Sequence, residues 1–245
     1  MSSTSTVLIT GTNRGIGKGL VTTYLATPNT TVIATVRDPA HPTAQSLSSL
    51  PKASGSSLII VRLDVSSAES ITGAIETLKS THGITALDVV IGNAGIADLT
   101  GPPALNPRLG APELSRAVIP LLRASKAEGK GKFVLISSAG GSLTSMNIII
   151  PVAAYGASKA LANFLIKWLA LENEDVLIWA MHPGMVVTDM GKNGFEALKE
   201  KGIDVTQYVI SVEDSTRGIK NVIDDAAAEK TSGKFIAYDG SELPW

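Results

Sequence analysis

Short runs of β-branched and apolar residues recur along this chain, separated by longer segments with a helical period, and that alternation constrains the fold most. The runs at 6–10, 31–36, 58–63, 87–91, 133–137, 176–181 and 234–237 read as buried strands. Between them, 17–26, 68–81, 113–127, 152–172 and 212–229 carry apolar residues at helical spacing. In the third of these, Leu114, Ala117, Val118, Leu121 and Leu122 form one stripe. Strand and helix repeated in this order demand a parallel sheet with helices on both faces. The expectation is an α/β, doubly wound sheet of about seven strands in a single domain over residues 1–245. Such sheets bind ligands beyond the carboxyl ends of their strands, so the residues after each strand are where chemistry is expected.

Composition narrows the function. Apolar residues are 44% and charged residues 18% of the chain, which favours a packed core over disorder. A formal net charge of -1 gives no reason to expect nucleic acid or an acidic membrane as partner. Cysteine is absent, which excludes disulfides, thiolate nucleophiles and Cys-type zinc sites. His41, His82 and His182 lie far apart, so no metal site is expected. No stretch reads as a signal peptide, and none approaches the roughly 20 apolar residues of a membrane span. A cytoplasmic protein acting on a small molecule is the expectation.

The first strand runs into a turn with glycines at 11, 15 and 17, before the first helix. Glycines there let the chain bend sharply and let a pyrophosphate approach the free amides of the helix start. Gly11, Asn13, Arg14, Gly15, Ile16 and Gly17 are therefore candidate cofactor contacts. After the second strand come Arg37 and Asp38. A carboxylate in this region accepts from a ribose 2′-hydroxyl and selects NAD, whereas an arginine meets a 2′-phosphate. Arg37, joined by Arg14, favours NADP(H), while Asp38 stands as the competing acid or as a partner for Arg37. Asp64 and Val65, after the third strand, are placed to meet the adenine, although Asp64 also suits a helix start with Ser66 or Ser67 as cap. Asn93, Ala94 and Gly95 follow the fourth strand, where small residues allow a cofactor ribose to come close.

Tyr155 and Lys159 stand four residues apart on one helical face. A cation beside a tyrosine favours the phenolate, lowering its pKa from about 10, which suits a proton donor to a ketone oxygen. Ser138, at the end of the fifth strand, is placed to hydrogen-bond the same oxygen. With Gly11, Gly15, Gly17, Asp64, Asn93 to Gly95, Ser137, Ser138, Tyr155, Lys159, Pro183, Gly184 and Thr188 in this order, the chain resembles the short-chain dehydrogenase/reductase family over nearly its whole length. The resemblance implies a Rossmann fold, with Ser138 rather than Ser137 working with the tyrosine. It also implies that Lys159 holds the nicotinamide ribose and that Thr188 contacts the carboxamide. Pro183, Gly184 and Val186 fall on the same cofactor edge. More narrowly, 36–39 and 238–245 resemble fungal ketoreductases of the norsolorinic acid type, which implies reduction of an aryl ketone with NADPH.

The chain departs from the family between Asn93 and Pro120, a region that is short for the pattern. Asn106 is the candidate for the family's fourth catalytic residue, an asparagine that anchors a relay water. Pro107 disfavours helical geometry at Asn106, so a plain turn residue is the competing reading. Segments 140–151 and 185–210, with Leu143, Met146, Met190, Phe195 and Tyr208, are expected to wall a pocket for a bulky apolar ketone. His182 is expected to be structural. The leading expectation is an NADPH-dependent ketone reductase assembled as a homo-oligomer. The same groups serve alcohol oxidation, and a cofactor-binding protein without turnover is the alternative that the shortened region suggests.

Overall fold

The computed structural model describes residues 4–95, 110–127, 129–146, 153–200 and 202–245. Ten strands alternate with eight helices among them: β1 (Ser5–Thr10), α1 (Gly15–Leu25), β2 (Thr30–Val36), α2 (Pro42–Gln45), β3 (Ser57–Arg62), α3 (Ala68–His82), β4 (Val89–Gly92), α4 (Ala111–Arg123), β5 (Lys132–Ile136), α5 (Ala153–Glu172), β6 (Leu177–His182), β7 (Met185–Val186), α6 (Asp189–Glu200), β8 (Val209–Ile210), α7 (Val212–Asp224), α8 (Ala228–Thr231), β9 (Phe235–Ala237) and β10 (Glu242–Leu243).

Eight strands form one sheet in the order β10-β9-β6-β5-β4-β1-β2-β3, and β7 pairs with β8 in a separate ribbon. All neighbours in the large sheet are parallel except β10, which returns antiparallel on β9. This strand is the eighth, one more than the seven expected from runs of apolar residues. Two residues of pairing, Glu242 and Leu243, are too short to leave a periodic signal.

The strands read as continuous apolar runs because both sheet faces are covered, and alternate side chains go to opposite faces. Val7, Ile9, Val32, Ala34, Val134 and Trp179 pack with Leu20, Val21 and Tyr24 of α1 and Ile219 and Ile223 of α7. Leu8, Ile33, Phe133 and Ile178 pack on the other face, with Ile71 and Leu78 of α3, Leu114 and Val118 of α4, and Ile166 of α5.

Three boundaries differ from the sequence expectation. The helix expected over 212–229 stops at Asp224, because Lys132 of β5 donates to the Ile223 carbonyl at 2.5 Å and caps it; α8 is a separate turn. The helix expected to run to 127 stops at Arg123, and Ser125 turns its hydroxyl to Asp88 at 2.5 Å. Within 185–210, expected as pocket wall, α6 forms from Asp189, capped by the Thr188 hydroxyl, which accepts the Gly191 amide at 3.1 Å.

Strand order reverses between β1 and β4, so a crevice opens at their carboxyl ends. The candidate cofactor and catalytic residues that the structure describes follow the strands at this edge or, for Tyr155 and Lys159, start the helix packed beside it. Asn106 lies outside the described residues.

Candidate active site

The crevice is built by a weld between β1 and β4. The Thr10 hydroxyl accepts the amides of Asn93 at 3.0 Å and Ala94 at 2.9 Å. In return Asn93 Nδ2 donates to the carbonyls of Thr10 at 2.9 Å and Gly11 at 3.2 Å. The Asn93 side chain is thus spent on shaping the glycine turn, a role that spacing did not reveal. Thr10 was missed altogether, since a threonine closing a strand carries no signal of its own.

The turn requires its glycines. Gly11 has φ +68°, and a Cβ there would come within 2.9 Å of the Ala94 Cα. A Cβ at Gly17 would collide with the Gly11 carbonyl and lie 2.6 Å from Asn93 Nδ2. α1 therefore starts directly beneath the crevice. Its N-cap, Arg14, makes no side-chain hydrogen bond to the helix, and the first turn contains no acid. The first-turn amides of Gly15, Ile16 and Gly17 have no intrahelical acceptor, and with the positive helix end they fit an anion such as a pyrophosphate. Asn13 is tied aside, with Nδ2 on the Thr43 hydroxyl at 3.2 Å.

At the end of β2 the competing acid is occupied locally: Asp38 Oδ1 accepts the Ala40 amide at 2.9 Å. Arg37 is exposed and has no ion-pair partner among the described residues. A second cation stands beside it, because Arg62 Nε donates to the Arg37 carbonyl at 3.3 Å. Sequence reasoning passed over Arg62, which reads only as the polar end of a strand. Arg14 turns the other way, to Asp189 on α6 at 3.6 Å, an exposed pair of small energetic weight. The structure therefore gathers Arg37 and Arg62, rather than Arg37 and Arg14, at the β2 end.

Asp64 accepts the Ser66 hydroxyl at 2.7 Å and the Ser66 amide at 2.9 Å. Those bonds, with Arg37 and Arg62 nearby, hold its carboxyl below the usual carboxylate range. Helix capping falls to Ser67, whose hydroxyl accepts the Ser70 amide at 3.1 Å. Val65 backs onto Gly110, where any Cβ would overlap the Val65 carbonyl.

Across the crevice, β5 delivers two serines with different fates. Ser137 is buried and hydrogen-bonds Asn163 Oδ1 at 2.5 Å, so it faces the interior. Ser138 begins a tight turn, its hydroxyl accepting the Gly140 amide at 3.2 Å, and it also hydrogen-bonds the Tyr155 phenol. The turn rests on α5: a Cβ at Gly141 would lie 2.6 Å from the Lys159 Cβ. Lys159 donates to the Ile136 carbonyl at 2.9 Å, and its Nζ is 5.7 Å from the Tyr155 ring centroid. A Cβ added to Gly95 would stand 4.0 Å from that same ammonium, which brings the β4 edge to the Tyr155 helix.

One electrostatic expectation is corrected. The lysine was expected to lower the Tyr155 pKa, yet loss of solvent raises it, with only the Ser138 hydrogen bond pulling the other way. Lys159 is itself pushed down to about 8 by burial. Both groups are half-buried, and desolvation acts on each before the cation can act on the phenol. Tyr155 is therefore a protonated acid at neutral pH.

The remaining candidates close the edge after β6. His182 Nδ1 accepts the Ala139 amide at 3.3 Å, and burial pushes its imidazole down to about 4 against the pull of Asp239. The Pro183 carbonyl accepts the Ser215 hydroxyl at 2.6 Å, and Gly184 takes φ +84°. Val186 pairs with Ile210 in the β7–β8 ribbon. Thr188 reaches the glycine turn, its Cγ2 lying 3.4 Å from where a Gly15 Cβ would be. A cleft of about 340 Å³ opens there between Gly15, Lys18, Thr188 and Asp189, beside the glycine turn rather than at Tyr155. No cluster of metal-ligating side chains occurs among the described residues.

A doubly wound sheet with an anion-ready turn at its switch point and Ser138, Tyr155 and Lys159 beside it defines a nucleotide-dependent oxidoreductase. The family model for short chain dehydrogenase matches residues 5–199, and the chain belongs to that family. It is 55% identical to a short chain dehydrogenase of Penicillium aethiopicum, over 98% of this chain and 99% of that one. It is 40% identical to a norsolorinic acid ketoreductase of Dothistroma septosporum, over 100% of this chain and 94% of that protein. Among solved structures, NADPH-bound carbonyl reductase from chicken fatty liver superposes with a TM-score of 0.85 at 30% identity, covering 100% of both chains. No helix among the described residues is long and apolar enough to cross a membrane.

Proposed function

We propose that this chain is an NADPH-dependent ketoreductase that converts a bulky apolar or aryl ketone to an alcohol. The observation that carries the reading is the convergence of Ser138, Tyr155 and Lys159 at the edge of a glycine turn whose first helix presents uncapped amides. The name of the Dothistroma septosporum relative supports the substrate class, and the NADPH-bound chicken enzyme supports the cofactor. The exposed cations Arg37 and Arg62, with Asp38 turned to Ala40, favour a 2′-phosphate over a bare ribose hydroxyl.

In this reading Gly11, Arg14, Gly15, Ile16 and Gly17 border the pyrophosphate, and Asp64 and Val65 border the adenine. Asn93, Ala94 and Gly95 line the ribose, and Pro183, Gly184, Val186 and Thr188 line the nicotinamide edge. The reduced nicotinamide supplies the hydride when bound. Ser138 orients the carbonyl oxygen, and Tyr155, held protonated by desolvation, gives its proton to that oxygen as charge develops. Lys159, fixed by the Ile136 carbonyl, keeps a positive charge beneath the ring and stabilises the phenolate left behind. Exposed apolar groups in the segments that follow β5 and β6, Leu143, Met146 and Met190, suit a substrate with little charge.

The test is NADPH consumption against a panel of aryl and aliphatic ketones, with NADH in parallel. Tyr155→Phe keeps the packed ring but removes the proton, so turnover falls by about 10²–10⁴-fold while NADPH affinity holds. NADPH binding without turnover by the wild type would leave a cofactor-binding protein instead.

We also propose a homo-oligomer. Leu161, Phe164, Trp168 and Leu171 form one exposed stripe along α5, 40–70% accessible, with the Phe164 and Trp168 rings stacked at 6.2 Å.

A further inference from the structure

The backbone ladder between β5 and β6 runs out just before Ser138. Ile136 pairs with Met181, and the Ser137 amide donates to the Met181 carbonyl at 2.7 Å. In a parallel pair, alternate amides of one strand meet alternate carbonyls of its neighbour, so the next donor, Ala139, falls opposite the Pro183 carbonyl. That step cannot form. Pro183 has no N–H to return to the Ser137 carbonyl. Its own carbonyl accepts the buried Ser215 hydroxyl of α7 at 2.6 Å. The His182 side chain takes the place of the missing acceptor: Nδ1 accepts the Ala139 amide at 3.3 Å.

This bond acts on the peptide group that sets Ser138. The Ala139 amide belongs to the Ser138–Ala139 peptide, whose plane goes with the Ser138 ψ of 144°. The carbonyl of the same peptide accepts the Gly141 amide at 2.9 Å, so the plane is held once from within the turn and once from β6. The Ser138 hydroxyl in turn accepts the Gly140 amide and hydrogen-bonds the Tyr155 phenol, so a tilt of the peptide moves that hydroxyl against the phenol. His182 is itself firmly seated. It pairs with Ala237 of β9, and its carbonyl accepts the Tyr238 amide at 2.8 Å. Accepting an amide requires a bare Nδ1, so the neutral ring carries its proton on Nε2. Burial keeps the ring neutral, holding the imidazole down at about 4 against the pull of Asp239.

We propose that His182 is a positioning residue for Ser138: its Nδ1 stands in for a β6 carbonyl and holds the serine hydroxyl beside Tyr155 to receive the ketone oxygen. The proposal rests on the ketoreductase reading above. In that reading Ser138 orients the reacting oxygen, so the effect falls on kcat. NADPH affinity is spared, because the glycine turn follows β1, two strands from β5.

The test is steady-state kinetics with NADPH and an aryl ketone, on His182→Leu, His182→Ala and His182→Asn, each with Ser138 intact and with Ser138→Ala. The first two lack an acceptor, one filling the space and one leaving it. Their kcat is expected to fall about ten- to a hundredfold, as for a catalytic group set out of place, with NADPH affinity at the wild-type value. His182→Asn puts an amide oxygen close to the position of Nδ1 and is expected to recover most of the rate. With Ser138→Ala, no hydroxyl remains to be positioned, and losing the acceptor is expected to cost less than about twofold more. A merely structural role subtracts the same factor in both backgrounds, and that outcome overturns the proposal. So does a wild-type kcat in His182→Leu, or a His182→Asn as slow as His182→Leu. If neither acceptor-less variant folds, the bond is read in the wild type by NMR, as a nitrogen–nitrogen scalar coupling between Ala139 and His182 Nδ1. Its presence supports the proposal and its absence overturns it. Absence of wild-type turnover with any ketone overturns the reductase reading and the positioning role together, whereas the outcomes above, seen in an active wild type, overturn the role alone.

Discussion

Arg37 carries the cofactor choice proposed for this chain. It follows β2 with no ion-pair partner among the described residues, its acidic neighbour turned away to the Ala40 amide, and Arg62 braced on its carbonyl. In the proposed reading, a guanidinium with no ion pair among the described residues gains a charge-assisted bond from a ligand that carries a 2′-phosphate. Arg37→Ala is expected to weaken NADPH by on the order of ten- to a hundredfold and to leave NADH almost untouched, since such a bond is worth about 1.5–3 kcal/mol. Fluorescence titration with both cofactors measures this, and equal losses would show that Arg37 works in folding instead. At the same scale, Tyr155 and Lys159 illustrate the limit of spacing. Four residues on a helix put the pair on one face, but only the depth of the cleft says that desolvation, not the cation, rules the phenol.

Between elements, His182 joins β6 to the turn after β5. Its Nδ1 accepts the Ala139 amide, which requires an unprotonated nitrogen, and burial keeps it so by moving the imidazole from 6.5 to about 4. Between those two values the unfolded chain binds a proton that the folded chain refuses. Stability therefore falls as pH drops from 6.5 towards 4, by up to about 3 kcal/mol, and this contribution levels off below 4. His182→Gln keeps a side-chain acceptor but removes the titration, so its loss of stability between pH 7 and 4.5 is expected to be smaller than that of the wild type. Urea denaturation at the two pH values checks this; parallel losses would exclude His182 as the source. Element boundaries obey the same logic of contact. α7 ends where Lys132 reaches it from another strand, and no pattern inside 212–229 announces that meeting.

For the whole molecule, the sheet covers both of its faces but leaves one surface of α5 uncovered. Phe164, Trp168 and Leu171 remain 62%, 53% and 70% exposed, and a second copy laid against the helix would cover them without disturbing the crevice. The double variant Trp168→Glu with Leu171→Glu is expected to sediment as a monomer, whereas the wild type sediments as a larger species. Both positions are solvent-facing, so the circular dichroism spectrum is expected to stay the same. A wild type that is already monomeric would remove this reading of the stripe.

What the sequence determined by itself is the layering. Burial on both faces writes unbroken apolar runs for strands and one stripe for each helix, and these signals are local because each residue reports its own burial. The glycine turn was legible for the same reason: Gly11 and Gly17 have no room for a side chain, whatever lies further along the chain. Tertiary structure decided the partners. Ser137 and Ser138 are adjacent and chemically identical, yet Asn163 claims the first and Tyr155 the second. Asn93, singled out as a candidate cofactor contact, also clamps a turn more than eighty positions earlier. Trp245 and Thr144 meet across 101 positions. Local periodicity carries no record of such pairings, because a hydrogen bond between distant residues depends on the path of the backbone between them, which only the folded chain defines.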